Sequence, residues 1–515
     1  MSDTASPAPL KLFNSLTRSL ETFEPIHPGT EGDANDPPEA RVYSCGPTVY
    51  NYQHVGNMRA YVFADTLGRV LSFKGYKLSH VINITDVGHL TSDADAGDDK
   101  MEKAASREGK SAWDIARHYQ AVFEADLARL NIRKPQHPRA TDYVAAMIAW
   151  GKAIEDKHCY RLDGGLYFDV TTVPDYGRLA RANTDEGEGR IESVEGKRHA
   201  ADFAIWRTTP PGETRQMEWD SPWGRGAPGW HIECSVMSAE LLGHPFDIHT
   251  GGIDHREIHH PNEIAQNQAH ACGPDSGARI WMHNNFLIDR RGKMSKSSGD
   301  FLTLQALVDR GFHPLAFRML CLQAHYRSEL EFSWEGLAAA LVRLKRLVMA
   351  IDVLKSRHAE LVTASIAQPE TAARGEIWTL KQVQGDDEIM AGFRSQVDGI
   401  DKTISDDLNT AVALVTLDTV LSIKGATLGP ALKFVDAVDS LLGLNLATLA
   451  RADLRIRPIT ATITEPEIEA ALAARKEARA AKDFARSDAL RDELAAQGVE
   501  VMDGDPLGWD WKLEA

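Results

Sequence analysis

The sequence predicts an α/β protein whose parallel-sheet core is split in two by an insertion domain and followed by a helical bundle and a small C-terminal domain. Three observations lead there. Arg41-Val42-Tyr43-Ser44-Cys45 reads as a strand, Val62, Phe63, Leu67, Val70 and Leu71 recur at helical spacing, and Leu78 to Ile84 is β-rich again. Strand, helix and strand within about 45 residues make a βαβ unit and hence a parallel sheet. A second β-then-α unit comes much later: Phe246 to His249 as strand, Gly251-Gly252 as its turn, Glu257 to Ala269 as helix. Beyond about residue 300 the text is helical, with Leu337, Leu341, Leu344, Leu347 and Val348 on one apolar face.

Taken in order, residues 1–40 form an extension ending in the polar loop Gly29 to Pro38, and the core proper is expected to begin after it. The first half of a Rossmann-like nucleotide-binding core spans 41–150. Residues 151–230 hold turn signals such as Asp163-Gly164-Gly165 and form a mixed insertion, and 231–300 complete the core. A bundle at 301–450 follows, in which 357–387 is a loop or irregular hairpin. A C-terminal domain at 451–515 opens on the capping box Thr464-Glu465-Pro466-Glu467 and continues as helical text to Gln497.

At 515 residues the chain has room for several domains of roughly 100 to 200 residues each. Hydrophobic residues at 43% and charged residues at 25% exclude collagen, a disulfide scaffold and wholesale disorder. No stretch approaches the roughly 18 apolar residues of a membrane span, and the start MSDTASPAPLKLF lacks a signal-peptide pattern, so a cytoplasmic protein with no membrane partner is expected. Five dispersed cysteines without a CxxC pair fit a reducing compartment. The net charge of -17 does not decide against a nucleic-acid partner, because a phosphate backbone needs only a local basic stripe.

Two motifs carry phosphate chemistry. His54-Val55-Gly56-Asn57 lies between a strand end and an apolar helix expected to start near Met58. A helix N-terminus offers unpaired N–H groups and a favourable dipole to phosphate oxygens, Gly56 admits a flat base, and His54 can donate to a phosphate in its transition state. Alone, the tetrapeptide reads equally well as a surface turn. Lys293-Met294-Ser295-Lys296-Ser297, on a glycine-flanked loop, places two cations where β- and γ-phosphates would lie. The two motifs in this order, around a split core, resemble those of the class I aminoacyl-tRNA synthetases. The resemblance implies ATP bound by His54, Gly56, Asn57, Lys293 and Lys296, with Mg2+ accompanying the ATP.

Cys45, Cys234, His259 and Glu263 supply two thiolates, an imidazole and a carboxylate, and the spacing of four between His259 and Glu263 puts both on one helix face. Buried free cysteines and an ordinary helix remain the alternative from spacing alone. The contexts of these residues, from Tyr43 to Tyr50, from Pro228 to Ser235 and from His259 to Gln266, resemble the cysteine-specific branch of that family. That resemblance implies one Zn2+ per chain on the four residues, bound in turn by the substrate thiolate. It also implies a cysteine pocket lined by Thr85, Trp230 and Asp254, with Asp254 facing the α-ammonium group. Pro261-Asn262 stands where the family often has Glu-Asn, and Val87 to Ser92, with His89, is a longer form of its segment.

Arg475, Arg479, Lys482 and Arg486 recur at intervals of four, three and four, which on one continuous helix aligns them along a single face. Such a stripe can follow a phosphate backbone, and Trp509 and Trp511 could stack on unpaired bases. The resemblance places an anticodon-reading domain here. It implies a two-step ligase acting on L-cysteine, ATP and tRNA(Cys), expected as a monomer. Two alternatives share the core: a cysteine ligase with an amino-sugar acceptor, which would lack the distal domain, and a non-catalytic tRNA-binding relative, which would have lost His54 or the lysines.

Overall fold

The structure, a computed structural model, describes residues 7–87, 99–180, 196–273, 276–289, 292–293, 302–365, 387–423 and 428–513. Its centre is a four-stranded, all-parallel sheet in the spatial order Lys77–Ile82, Glu39–Ser44, Phe246–Gly252, Ala278–Asn284. The first and third strands in sequence are therefore neighbours, joined in register at Val42 and Ile248, Tyr43 and His249, Ser44 and Thr250. Strand order reverses at that junction. In open α/β sheets the crevice beyond the carboxyl ends of two such strands is where ligands bind.

Helix Val55–Phe73 fills the crossover between the first two strands and is buried on nearly every side. One face lies on the sheet, and the other meets the helical bundle, where Arg69 donates to the carbonyl of Ser440 and Arg318 to Asp65. The bundle comprises Leu304–Asp309, Pro314–Leu322, Trp334–Ser365, Asp387–Ile404, Thr410–Ser422 and Leu428–Leu442. The apolar stripe expected at Leu337, Leu341, Leu344, Leu347 and Val348 is buried there. Residues 366–386, most of the stretch expected as a loop or hairpin, lie outside the described residues; ahead of it the helix runs unbroken to Ser365.

Between the halves of the core stands an antiparallel sheet, Cys159–Leu162, Gly165–Phe168, Phe203–Thr208 and Gly226–Pro228. It returns the chain through Gly229, where a Cβ would lie 1.9 Å from the carbonyl oxygen of Ala204, into helix Trp230–Leu242.

Three expectations need correction. Gly251 and Gly252 do not form a turn: the strand extends through both, because Met282 to Asn284 keep pairing with Thr250 to Gly252. The following helix begins at His259, after a short 3-10 turn at Ile253–Arg256. Nor is the N-terminal extension separate from the core. Its hairpin, Lys11–Asn14 with Ser19–Thr22, docks on the last sheet strand, where Asn14 bonds the carbonyl of Arg279 and the N–H of Trp281. Leu10, Leu12 and Phe23 are buried in the main core. No helix among the described residues is long and apolar enough to cross a membrane.

Candidate active site

The crevice predicted by the strand order is a cavity of about 340 Å³. Its nucleotide side is built by the start of helix Val55–Phe73. His54 is the N-cap residue itself, not a residue ahead of a later start, and its Nδ1 accepts from Asn57 N–H at 3.1 Å. That bond assigns the ring proton to Nε2. The ring folds over Gly56, where a Cβ would come within 2.8 Å of His54 Nδ1. Asn57 Oδ1 is buried without a hydrogen-bond partner. His54, Gly56 and Asn57 all line the cavity. Lys293 is described by its backbone alone, as a two-residue strand paired to Ile288 and Asp289, and Lys296 lies outside the described residues.

Cys45, Cys234 and His259 of the candidate donor set line the same cavity. Cys45 directly follows the first sheet strand, Cys234 sits in helix Trp230–Leu242, and His259 and Glu263 occupy the first turns of helix His259–Ala271. Their four ligand atoms lie within 4.8 Å of one another and all four residues are buried. Glu263, 0% exposed, directs Oε1 to 3.0 Å from His259 Nε2, yet Oε1 makes no hydrogen bond. Two donors this close but unaligned suit two ligands of one cation, since tetrahedral zinc bonds of about 2.0–2.3 Å set donors roughly 3.3–3.8 Å apart.

Each of the four groups is shifted by burial and by its neighbours. The Cys234 thiol is drawn down to about 6 by a hydrogen bond from Cys45, against the cost of burial. Burial, then the same bond, push Cys45 up. Burial opposes charge on Glu263 and His259 as well. Glu263 is nonetheless held at about 2 by His249 and His259, and His259 raised to about 10 by Glu263 and Cys234. A divalent cation would replace the protons that now hold the cluster together.

A layer of histidines that the sequence did not single out orients these donors. His231 Nδ1 lies 2.9 Å from His259 Nδ1, His249 Nε2 2.8 Å from Glu263 Oε2, and His260 Nε2 3.2 Å from Cys45 Sγ. His260 is backed by His283 at 2.8 Å, and His283 by Ser15 of the N-terminal hairpin at 2.8 Å. Such outer partners fix ring orientation and tautomer. Cys45, His249, His260 and Glu263 form a second group of four donors within 4.8 Å. Cys234 and His259 line the cavity whereas His249 and His260 do not.

Thr85, Trp230 and Asp254 line the same cavity. Thr85 Oγ1 donates to Glu233 Oε2 at 2.7 Å and accepts from Asn83 Nδ2 at 3.2 Å. The Trp230 ring lies 4.3 Å from that of His259, and Asp254 projects from the 3-10 turn after the third strand.

Comparisons with known proteins bear on the family of the chain. Residues 33–342 match the model of the tRNA synthetases class I (C) catalytic domain, and residues 464–506 that of the cysteinyl-tRNA ligase anticodon binding domain. A cysteine–tRNA ligase of Novosphingobium aromaticivorans is 64% identical over 99% of this chain and 98% of its own. The chain belongs to the cysteine–tRNA ligase family. Relatives from Zymomonas mobilis, 52% identical over 98% of both chains, and Treponema denticola, 41% identical over 96% of this chain and 98% of its own, carry the same name. Among solved structures, a Mycobacterium tuberculosis methionyl-tRNA synthetase in complex with methionyl-adenylate covers 81% of this chain and 91% of its own, at 15% identity and a TM-score of 0.49.

In the C-terminal unit, two expectations fail. The capping box at Thr464 and Glu467 is present, but its helix ends at Ala480. Lys482 adopts a left-handed φ of 60°, and a second helix runs from Phe484 to Ala496. Arg475, Arg479, Lys482 and Arg486 therefore do not share one helix face, and Arg475 and Arg479 both pair with Asp503. Trp509 and Trp511, at 0% and 3% exposure, pack edge to face in this unit's own core. Trp509 Nε1 bonds Glu469 and its ring takes the Arg455 guanidinium at 3.8 Å. Neither ring offers a face to a base. The exposed aromatic is Phe484, at 62%, between exposed Lys482 and Arg486. A lone phenylalanine beside basic residues was the only signal that could have found it.

Proposed function

We propose that this chain joins cysteine to tRNA in two steps, with zinc held by Cys45, Cys234, His259 and Glu263. One observation carries the reading. The nucleotide motif His54, Gly56 and Asn57 and the donors Cys45, Cys234 and His259 line a single cavity, so a nucleotide phosphate and a thiol-bearing amino acid can meet in it.

Cysteine enters with its thiol toward the donor set and its ammonium group toward Asp254. ATP, brought with Mg2+, lies along the start of helix Val55–Phe73. The cysteine carboxylate attacks the α-phosphate in line and pyrophosphate leaves; a 3′-terminal ribose hydroxyl of the tRNA then takes the acyl group and AMP departs. His54, with its proton on Nε2, donates to the phosphate as charge develops, aided by the helix N-terminus and by Lys293 and Lys296. No protein nucleophile is needed; the chain positions the reactants and stabilises charge. Zinc when bound supplies a soft acceptor that prefers a thiolate to a hydroxyl. Phe484, Lys482 and Arg486 offer a stacking and phosphate surface to the tRNA.

The amino-sugar alternative is disfavoured by the anticodon-domain match at 464–506, since that ligase has no need of one. The test is cysteine-dependent ATP–pyrophosphate exchange followed by tRNA charging. His54→Ala is expected to cut exchange on the order of 100-fold. Exchange without charging would favour the alternative, and neither would refute the proposal.

A further inference from the structure

Arg59 belongs to neither motif, yet it lies two positions beyond Asn57 and is 2% exposed. Its guanidinium donates to backbone carbonyls. Nη1 donates to Asn285 at 2.9 Å and to Phe286, and Nη2 donates to Ser328 at 2.6 Å and His325 at 3.3 Å. A buried cation bonded to carbonyls rather than to a carboxylate is costly to keep, and a hydrophobic side chain would fill the space more cheaply. Arginine's planar fork is, in return, well suited to fixing several oxygens at once.

The oxygens it fixes belong to the wall of the active-site cavity. Asn285, Phe286 and Leu287 line it together with His54 and Gly56, and a Cβ on Gly56 would stand 3.9 Å from Leu287 Cβ. The wall thus packs close against the nucleotide loop, so a shift of the wall is felt at the start of the helix that carries His54 and Asn57. The wall rests on a segment with no regular secondary structure: Asn285 N–H donates to the Tyr326 carbonyl at 2.8 Å, and Asn285 Nδ2 to that of Arg327 at 3.1 Å. Arg59 ties both segments to the helix that carries His54 and Asn57. Past the wall, Leu287 pairs with Leu330 and Ile288 with Lys293. The same anchor therefore sets the base of the hairpin that leads to the lysine motif.

We propose that Arg59 is a positioning residue for the nucleotide: without touching substrate, it holds the Asn285–Leu287 wall at a fixed distance from His54 and Asn57. This rests on the ATP-dependent reading above. Arg59→Met and Arg59→Lys should be compared with the intact chain by active-site-titrated pyrophosphate exchange, by calorimetric ATP binding and by metal content. Arg59→Met is expected to raise the KM for ATP about 10-fold and lower kcat about 10- to 100-fold, as for a wall displaced by about 1 Å. The KM for cysteine should stay within about 2-fold and metal content should match the intact chain, because Arg59 bonds none of the four donor residues. Arg59→Lys, with three donors on a flexible stem, should recover several-fold of the loss. Unchanged ATP affinity and kcat per active site, with only the folded fraction reduced, would overturn the proposal, as would equal rises in the two KM values. If Arg59→Met does not fold, Arg59→Lys carries the same ATP-against-cysteine comparison. If the intact chain shows no exchange, the functional reading fails by itself, and the calorimetric ATP affinity of the variants still decides the role of Arg59.

Discussion

At position 56 a Cβ would stand 2.8 Å from the His54 ring, so any side chain there must move that ring. Gly56→Ala should therefore displace His54 rather than block a base outright. Exchange activity is expected to fall roughly 10- to 100-fold, while thermal stability changes by less than about 1 kcal/mol, alanine being the better helix former. Wild-type exchange from this variant would show that the His54 pose is unimportant. Cys234→Ser should weaken metal binding by on the order of 100-fold or more, read by elemental analysis after dialysis against a chelator. Retention of full metal would move the site to the second group of donors. The cavity residues were legible because their chemistry is carried by short motifs with rigid local roles: a helix cap, a strand end and an i, i+4 pair. The histidine layer was not. His231, His249, His260 and His283 gain their function from contacts with residues up to 268 positions away, as His283 does with Ser15, and no local spacing encodes that.

Single elements show the same division. The βαβ text, the capping box and the apolar stripe of the long helix were readable because periodicity and caps are local. The error over Gly251 and Gly252 came from taking glycine as punctuation where the neighbouring strand Ala278–Asn284 keeps the ladder going. In the C-terminal unit, charge spacing suggested one helix, but the break at Lys482 depends on a single left-handed residue and on Asp483 capping the next helix through Arg486 N–H. Two substitutions separate core from surface there. Trp509→Ala should destabilise the unit by about 3–5 kcal/mol, seen as an early unfolding transition. Phe484→Ala should leave melting unchanged and raise the KM for tRNA roughly 5- to 150-fold, the equivalent of about 1–3 kcal/mol of stacking, with pyrophosphate exchange untouched. Normal charging by the Phe484 variant would remove that residue from the tRNA surface.

Across the whole molecule, buried ion pairs join the parts that sequence reading could only set side by side. Lys345 and Arg451 converge on Asp510, tying the C-terminal unit to the bundle. Asp65, on the helix that begins at His54, takes Arg69 and Arg318 at 2.6 Å each. Burial would raise its pKa, but Arg318, then Arg69 and Arg133, hold the carboxyl at about 2. Because this folded-state value is depressed, the contribution is complete above the unfolded value near 4 and is lost as pH falls toward about 2. It amounts to about 2 kcal/mol as an order of magnitude. Asp65→Asn should cost more at neutral pH, about 3–5 kcal/mol, since it leaves buried arginines uncompensated, and it should flatten the acid limb of the stability curve. An unchanged acid limb in denaturant titrations would contradict this. Coupling of adenylation to thiol recognition by a metal in one cavity is checked by measuring ATP–pyrophosphate exchange of the full-length, zinc-loaded protein with cysteine and with serine, before and after the metal is stripped. The expected result is a preference for cysteine of roughly 10⁴-fold that collapses when zinc is removed. Comparable exchange with serine, or cysteine-dependent exchange indifferent to the metal, would contradict it.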